Sequence, residues 1–154
     1  MDLNFALVGC GRIARKHAEI LANGHVKGAR LAAVCDVREE RARATGKKYS
    51  VPHYTSIADM MAAESGIDVV NVLTPSGSHA ANTLELARYG KHVVVEKPMA
   101  LTIYDADRMI EACDAAGVRL FVVKQNRYNR AVARLKEAVD AGRFGKLVLG
   151  TVRV

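Results

Sequence analysis

The chain has 154 residues, 50% of them hydrophobic and 25% charged, an ordinary globular composition at a length that supports one domain with a packed core. No apolar run approaches the length that crosses a bilayer, and Met1-Asp2 leads straight into a strand-like run with no signal-peptide pattern, so the expectation is a soluble cytoplasmic protein without a membrane partner. The net charge of +7 raises nucleic acid as a partner, but the densest basic group, Arg38 to Lys48, is interrupted by Glu39 and Glu40 and has no interleaved aromatics for base stacking, which argues for a solvated helix face instead.

The first apolar run, Phe5 to Val8, suits a strand buried on both faces, and Gly9 lets the chain leave it in a tight turn. The segment Gly9-Cys10-Gly11-Arg12-Ile13-Ala14 then opens a helix over about residues 12–21, which stops near Asn23-Gly24. Gly11 has no side chain to obstruct a pyrophosphate, and Ala14 is small enough for the helix to pack on the sheet. The amides of the first helical turn face the anion, and Arg12, Arg15 and Lys16 add positive potential there, although solvation remains the default for the last two. Leu31 to Cys35 is the second strand. Asp36, 22 residues after Ala14, stands where such folds place the carboxylate that accepts hydrogen bonds from an adenosine ribose. An acid there favours NAD over NADP, because a 2'-phosphate would meet its negative charge; Arg38 could turn toward such a phosphate and partly offset it.

A charged helix follows over about residues 38–48, and Ser56-Ile57-Ala58-Asp59 has the spacing of a capping box for a short helix to about Ala63. Ile67 to Leu73 is a strongly apolar strand, broken by Thr74-Pro75-Ser76-Gly77, and the helix from about Ser78 ends at Gly90. Val93 to Val95 is the next strand. Thr102-Ile103-Tyr104-Asp105 is a second capping box, whose helix stops near Gly117 before a strand from Arg119 to Val123. Residues 129–141 read as a helix, and Lys146 to Val154 as a strand with no partner, prone to add to a neighbouring chain or to have no fixed structure. This alternation predicts an α/β fold, a Rossmann-type doubly wound parallel sheet with right-handed crossovers.

In an open parallel sheet, ligands bind beyond the carboxyl ends of the strands. The segments there are Gly9-Cys10-Gly11, Asp36-Val37-Arg38, Thr74-Pro75-Ser76, Glu96-Lys97-Pro98 and Lys124-Gln125-Asn126-Arg127. Lys97 at the mouth of such a cleft could donate a hydrogen bond to a substrate hydroxyl or take part in proton transfer, with Glu96 positioning it or touching the cofactor. His79, beginning a helix that faces the cleft, could donate to a cofactor phosphate or ribose. Plainer readings stand beside these: a glycine turn that binds nothing, a solvent-exposed lysine, a surface ion pair, a solvated histidine. Cys10, Cys35 and Cys113 are odd in number and read as reduced packing residues, and the five histidines form no paired-ligand pattern, so no metal site is expected.

With these segments in place, the whole chain resembles the Gfo/Idh/MocA family of oxidoreductases, which includes glucose-fructose oxidoreductase and inositol dehydrogenase. The resemblance rests on Gly9-Cys10-Gly11-Arg12-Ile13-Ala14, on Asn71-Val72-Leu73-Thr74-Pro75-Ser76-Gly77-Ser78-His79, and above all on Gly90-Lys91-His92-Val93-Val94-Val95-Glu96-Lys97-Pro98-Met99-Ala100. It implies that Lys97 is the active-site lysine, that Gly9, Gly11, Arg12, Ile13, Asp36, Arg38, Thr74, Pro75, Ser76, His79, Glu96 and Lys97 line the nicotinamide cofactor, and that Gln125, Asn126 and Arg127 close the nicotinamide end. The implied reaction is hydride transfer between a sugar or polyol carbon and NAD, in a parent enzyme that is a homo-oligomer with a small-molecule substrate. Members are about twice this length, so the resemblance divides the chain into a dinucleotide-binding domain, 1–123, and a linker helix with the first strand of an absent C-terminal substrate domain, 124–154. Within the family, Val123-Lys124-Gln125-Asn126-Arg127-Tyr128-Asn129 is similar to members of surface-polysaccharide synthesis that act at C3 of UDP-linked N-acetyl-hexosaminuronic acids, as in lipopolysaccharide. A non-catalytic NAD-binding regulatory module is the competing class, and Glu96-Lys97-Pro98 is the feature it has no evident need for.

Overall fold

The computed structural model describes residues 2–151, in two compact units, Met1–Val123 and Lys124–Val154. The first unit alternates strands and helices: β1 (Leu3–Val8), α1 (Ala14–Ala22), β2 (Ala29–Cys35), α2 (Glu39–Tyr49), β3 (His53–Tyr54), α3 (Ile57–Ala63), β4 (Val69–Val72), α4 (His79–Arg88), β5 (His92–Val95), α5 (Ile103–Ala115) and β6 (Leu120–Val122). The six strands form one parallel sheet in the order β3-β2-β1-β4-β5-β6, so the chain doubles back between β1 and β4. This is a Rossmann-type doubly wound fold, and the reversal is its topological switch point.

Strand alternation explains the two cores. Ala6, Val8, Val70, Val72, Val93 and Val95 face α3, α4 and α5, where they pack against Ile57, Met60, Leu86 and Met109. Leu7, Leu31, Val34 and Leu73 point the other way, onto Ala14, Ala18 and Leu21 of α1. All four residues of β4 are buried, as a central parallel strand requires. Caps begin two of the helices as the sequence predicts. The Ser56 hydroxyl accepts from the Asp59 N–H at 3.1 Å, and Thr102 Oγ1 accepts from the Asp105 N–H at 3.0 Å while donating to the Asp105 carboxylate.

Three elements differ from expectation. β3 pairs only its two residues, with Val34 and Cys35, which is too short for a period-two signal. The run from Ile67 begins pairing only at Val69, because the Ile67 N–H is taken by the Glu64 carbonyl in a turn. In the second unit, a 3-10 turn (Gln125–Tyr128) leads into α6 (Arg130–Asp140), but residues 146–151 carry no strand. A strand needs a hydrogen-bonded neighbour, and none is present among the described residues of that unit. The rest of the expected strand, 152–154, lies outside the described residues.

Register sets up the site. Val8 pairs with Cys35 on one side and Val72 on the other, Val72 with Val95, and Val95 with Val122. The residues that follow these level strand ends therefore emerge along one edge of the sheet.

Candidate active site

At the switch point a cavity of about 660 Å³ opens between the ends of β1, β2 and β4, lined among others by Gly9, Gly11, Asp36, Arg38, Thr74 and Pro75. Gly9 carries φ +98°, and a Cβ there would lie 2.8 Å from the Leu73 carbonyl carbon and 2.9 Å from the Thr74 nitrogen, so only glycine lets β1 and β4 approach this closely. Gly11 is the opposite case: a Cβ there meets nothing within 4 Å. The space above Gly11 is open, and no hydrogen bond among the described residues uses the backbone N–H of Gly11, Arg12 or Ile13. Free amides at the start of a helix whose first turn holds no acidic residue make an anion-binding end.

Asp36 is 8% exposed, with each carboxylate oxygen on a backbone donor. The Cys10 N–H donates to Oδ2 at 2.7 Å and the Arg38 N–H to Oδ1 at 2.9 Å, so the carboxylate is locked to the glycine turn and keeps further lone pairs for a ligand. Cys10 beside it is inert: burial pushes its thiol up to about 11, and the Asp36 carboxylate adds to the rise. Arg12 lies in a neighbouring cavity of about 450 Å³, which shares Gly11 and Arg41 with the larger one. Ile13 caps α1 with its side chain 39% exposed, and Ser76 lies in a short 3-10 turn whose Ser78, not Ser76, lines the larger cavity.

His79 departs from expectation. Its ring is 1% exposed, with Nε2 2.9 Å from the Thr74 carbonyl oxygen and Nδ1 2.8 Å from the Pro98 carbonyl oxygen. It does not face the cleft. Side chains in the first turn of a helix point back toward its N-terminus, and here that direction leads into the protein, where the ring ties the end of β4 to the segment after β5.

One strand further along the edge, Glu96 and Lys97 follow β5, and the Lys97–Pro98 bond is cis. Lys97 is exposed, and no ion pair among the described residues engages its Nζ. The Glu96 side chain is 12% exposed and faces α1, with Oε1 3.3 Å from His17 Nε2 and Oε2 accepting from the Lys97 N–H at 3.1 Å. Gln125, Asn126 and Arg127 are exposed in the 3-10 turn of the second unit.

A family model described as an oxidoreductase family with an NAD-binding Rossmann fold, Gfo/Idh/MocA, matches residues 3–124. The chain belongs to the Gfo/Idh/MocA family. Among solved structures, it is similar to the WlbA dehydrogenase of Bordetella pertussis in complex with NADH and UDP-GlcNAcA: 43% identity, TM-score 0.89, 95% of this chain and 44% of that one covered. Among curated relatives, it is 35% identical over 144 residues to a myo-inositol 2-dehydrogenase of Thermotoga maritima, with 94% of this chain and 42% of that protein covered. It is 34% identical over 148 residues to a D-apiose dehydrogenase of Paraburkholderia graminis, covering 96% and 39%. The chain thus spans about two fifths of the length of these relatives.

In this Gfo/Idh/MocA domain, sequence reasoning missed Arg41, which lines both cavities but reads as one more solvated cation. Its place in the first turn of α2, three residues after the N-cap residue Arg38, is the signal that finds it. His17 and Asn71 were missed as well, since their partners lie 79 and 54 residues away in sequence.

Proposed function

We propose that the protein is an NAD-dependent dehydrogenase of a sugar or polyol, in which this chain holds the cofactor and supplies the lysine that acts on the substrate hydroxyl. The observation that carries this is the open space over Gly11, beside free amides and the locked Asp36 carboxylate, at the switch point of the sheet. In this reading the Gly11, Arg12 and Ile13 amides bind the diphosphate, and Asp36 accepts hydrogen bonds from the adenosine ribose hydroxyls. Arg38 and Arg41 flank the adenosine end, and Thr74, Pro75 and Ser76 border the cofactor along β4. Bound there, NAD would supply the acceptor for a hydride from the substrate carbon. Lys97 Nζ donates a hydrogen bond to the substrate hydroxyl or takes part in the transfer of its proton as the carbonyl forms, and Glu96 fixes where Lys97 leaves the strand.

The substrate class we favour is a UDP-linked N-acetyl-hexosaminuronic acid, oxidised at C3, in lipopolysaccharide synthesis. The WlbA likeness at 43% identity supports it, while the inositol and apiose dehydrogenases at 34–35% keep a free polyol in the comparison. The three free cysteines fit a reducing compartment, the cytoplasm.

The test is Lys97→Ala in the full-length enzyme, assayed for NAD reduction with UDP-N-acetylglucosaminuronic acid and with myo-inositol. Turnover should fall about a hundredfold or more with NAD affinity nearly unchanged. Wild-type turnover would remove Lys97 from the reaction.

A further inference from the structure

β4 reads Val69, Val70, Asn71, Val72, and Asn71 alone among them is polar, at 4% exposure. Its Nδ2 donates to His17 Nδ1 at 3.0 Å, whereas its Oδ1, also buried, has no partner among the described residues. An unpaired buried amide oxygen is destabilising, and a fourth valine would fill the position without it. The fold alone gives no reason for Asn71.

What Asn71 does is orient a ring. Because His17 Nδ1 accepts from the amide, the ring proton sits on Nε2, which donates to Glu96 Oε1 at 3.3 Å. The other carboxylate oxygen accepts from the Lys97 N–H at 3.1 Å. Both Glu96 oxygens are thus held, one by a side chain of α1 and one by the backbone of the residue that carries the exposed amine. The His17 side chain is itself only 20% exposed, so the chain Asn71, His17, Glu96 runs from the middle of the sheet to its functional edge beneath the surface.

We propose that His17, oriented by Asn71, is a positioning residue for Glu96 and Lys97. It pins the Glu96 carboxylate against the Lys97 backbone so that the lysine leaves β5 in one direction. This rests on the reading that Lys97 acts on the substrate, but its structural half can be measured without turnover. Nothing in the inference requires His17 to touch cofactor or substrate.

The test has two arms. In the cofactor-free protein, nitrogen-resolved NMR of the His17 imidazole should show the proton on Nε2 and a bare Nδ1; a ring protonated on Nδ1 alone would overturn the proposal. In the assay, His17→Leu should lower kcat about tenfold or more with the KM for NAD little changed, since a small misplacement of a reacting group is costly. His17→Gln, whose amide can donate to Glu96, should recover most of that loss. Asn71→Val, the variant that survives if His17→Leu does not fold, should match or exceed wild-type stability in urea and still lose kcat. Wild-type kcat in His17→Leu or Asn71→Val would overturn the proposal. A Lys97→Ala protein with full turnover would sink the functional reading instead, and would leave the imidazole result standing.

Discussion

At the β1–β2 end of the sheet, the groups that face the cleft are held by backbone. Gly9 abuts the backbone of Leu73 and Thr74, Asp36 sits on two main-chain amides, and the amides of residues 11–13 are left free of partners among the described residues. At the β4–β5 end the work passes to buried side chains. His79 spans the Thr74 and Pro98 carbonyls, and His17 with Asn71 holds Glu96. The difference teaches how one edge can serve two tasks. A diphosphate asks for donors at fixed positions, which a glycine turn and a helix start supply locally, whereas aiming a lysine at a hydroxyl takes supports from several elements at once.

Adding one carbon breaks the backbone-held half most severely. Gly9→Ala places a Cβ 2.8 Å from the Leu73 carbonyl carbon at φ +98°, and should lower the stability measured by urea unfolding by about 3 kcal/mol or more. A wild-type midpoint would show that β1 and β4 separate easily there. His79→Leu is the matching test on the other half. It removes the ring that lies between the Thr74 and Pro98 carbonyls and with it the one N–H that a neutral imidazole donates there, and should cost about 2 kcal/mol in the same experiment. Asp36→Ala sharpens the contrast, because it should weaken NAD about tenfold, or about 1.4 kcal/mol by calorimetry, and narrow the preference over NADP while leaving saturated turnover unaffected.

The last effect is alkaline. Burial pushes the Cys10 thiol up to about 11 and the Cys35 thiol up to about 12, against an ordinary value of 9.0. Above pH 9 the unfolded chain sheds these protons while the folded chain keeps them. The stability they confer is therefore full below pH 9 and declines as pH rises toward 11–12. Urea midpoints across that range check it; a flat profile would mean that the thiols ionise in the folded state as they do in the unfolded one.

The same division decides what the sequence could reveal. The glycine turn, Asp36 and the two capping boxes were legible because each is a local pattern in which neighbouring residues specify one backbone geometry. The parallel, doubly wound sheet followed from the alternation of strands and helices. His79 was misplaced because its position at a helix start says nothing of where the ring points, which depends on the segment after β5. Asn71, His17 and Arg41 had no local pattern to announce them: their roles come from elements that meet only once the sheet is formed. Residues 146–151 carry no strand for a related reason, since apolar residues specify a strand only where a neighbour is available to pair.

The central claim is that the space over Gly11 is kept for a dinucleotide. Calorimetric titration of NAD into the wild-type protein and into Gly11→Val tests it directly. A Cβ there meets nothing within 4 Å, so the variant should unfold near the wild-type urea midpoint and yet give no heat with NAD. Wild-type NAD affinity in Gly11→Val, or no NAD binding by the wild-type protein, would contradict the account.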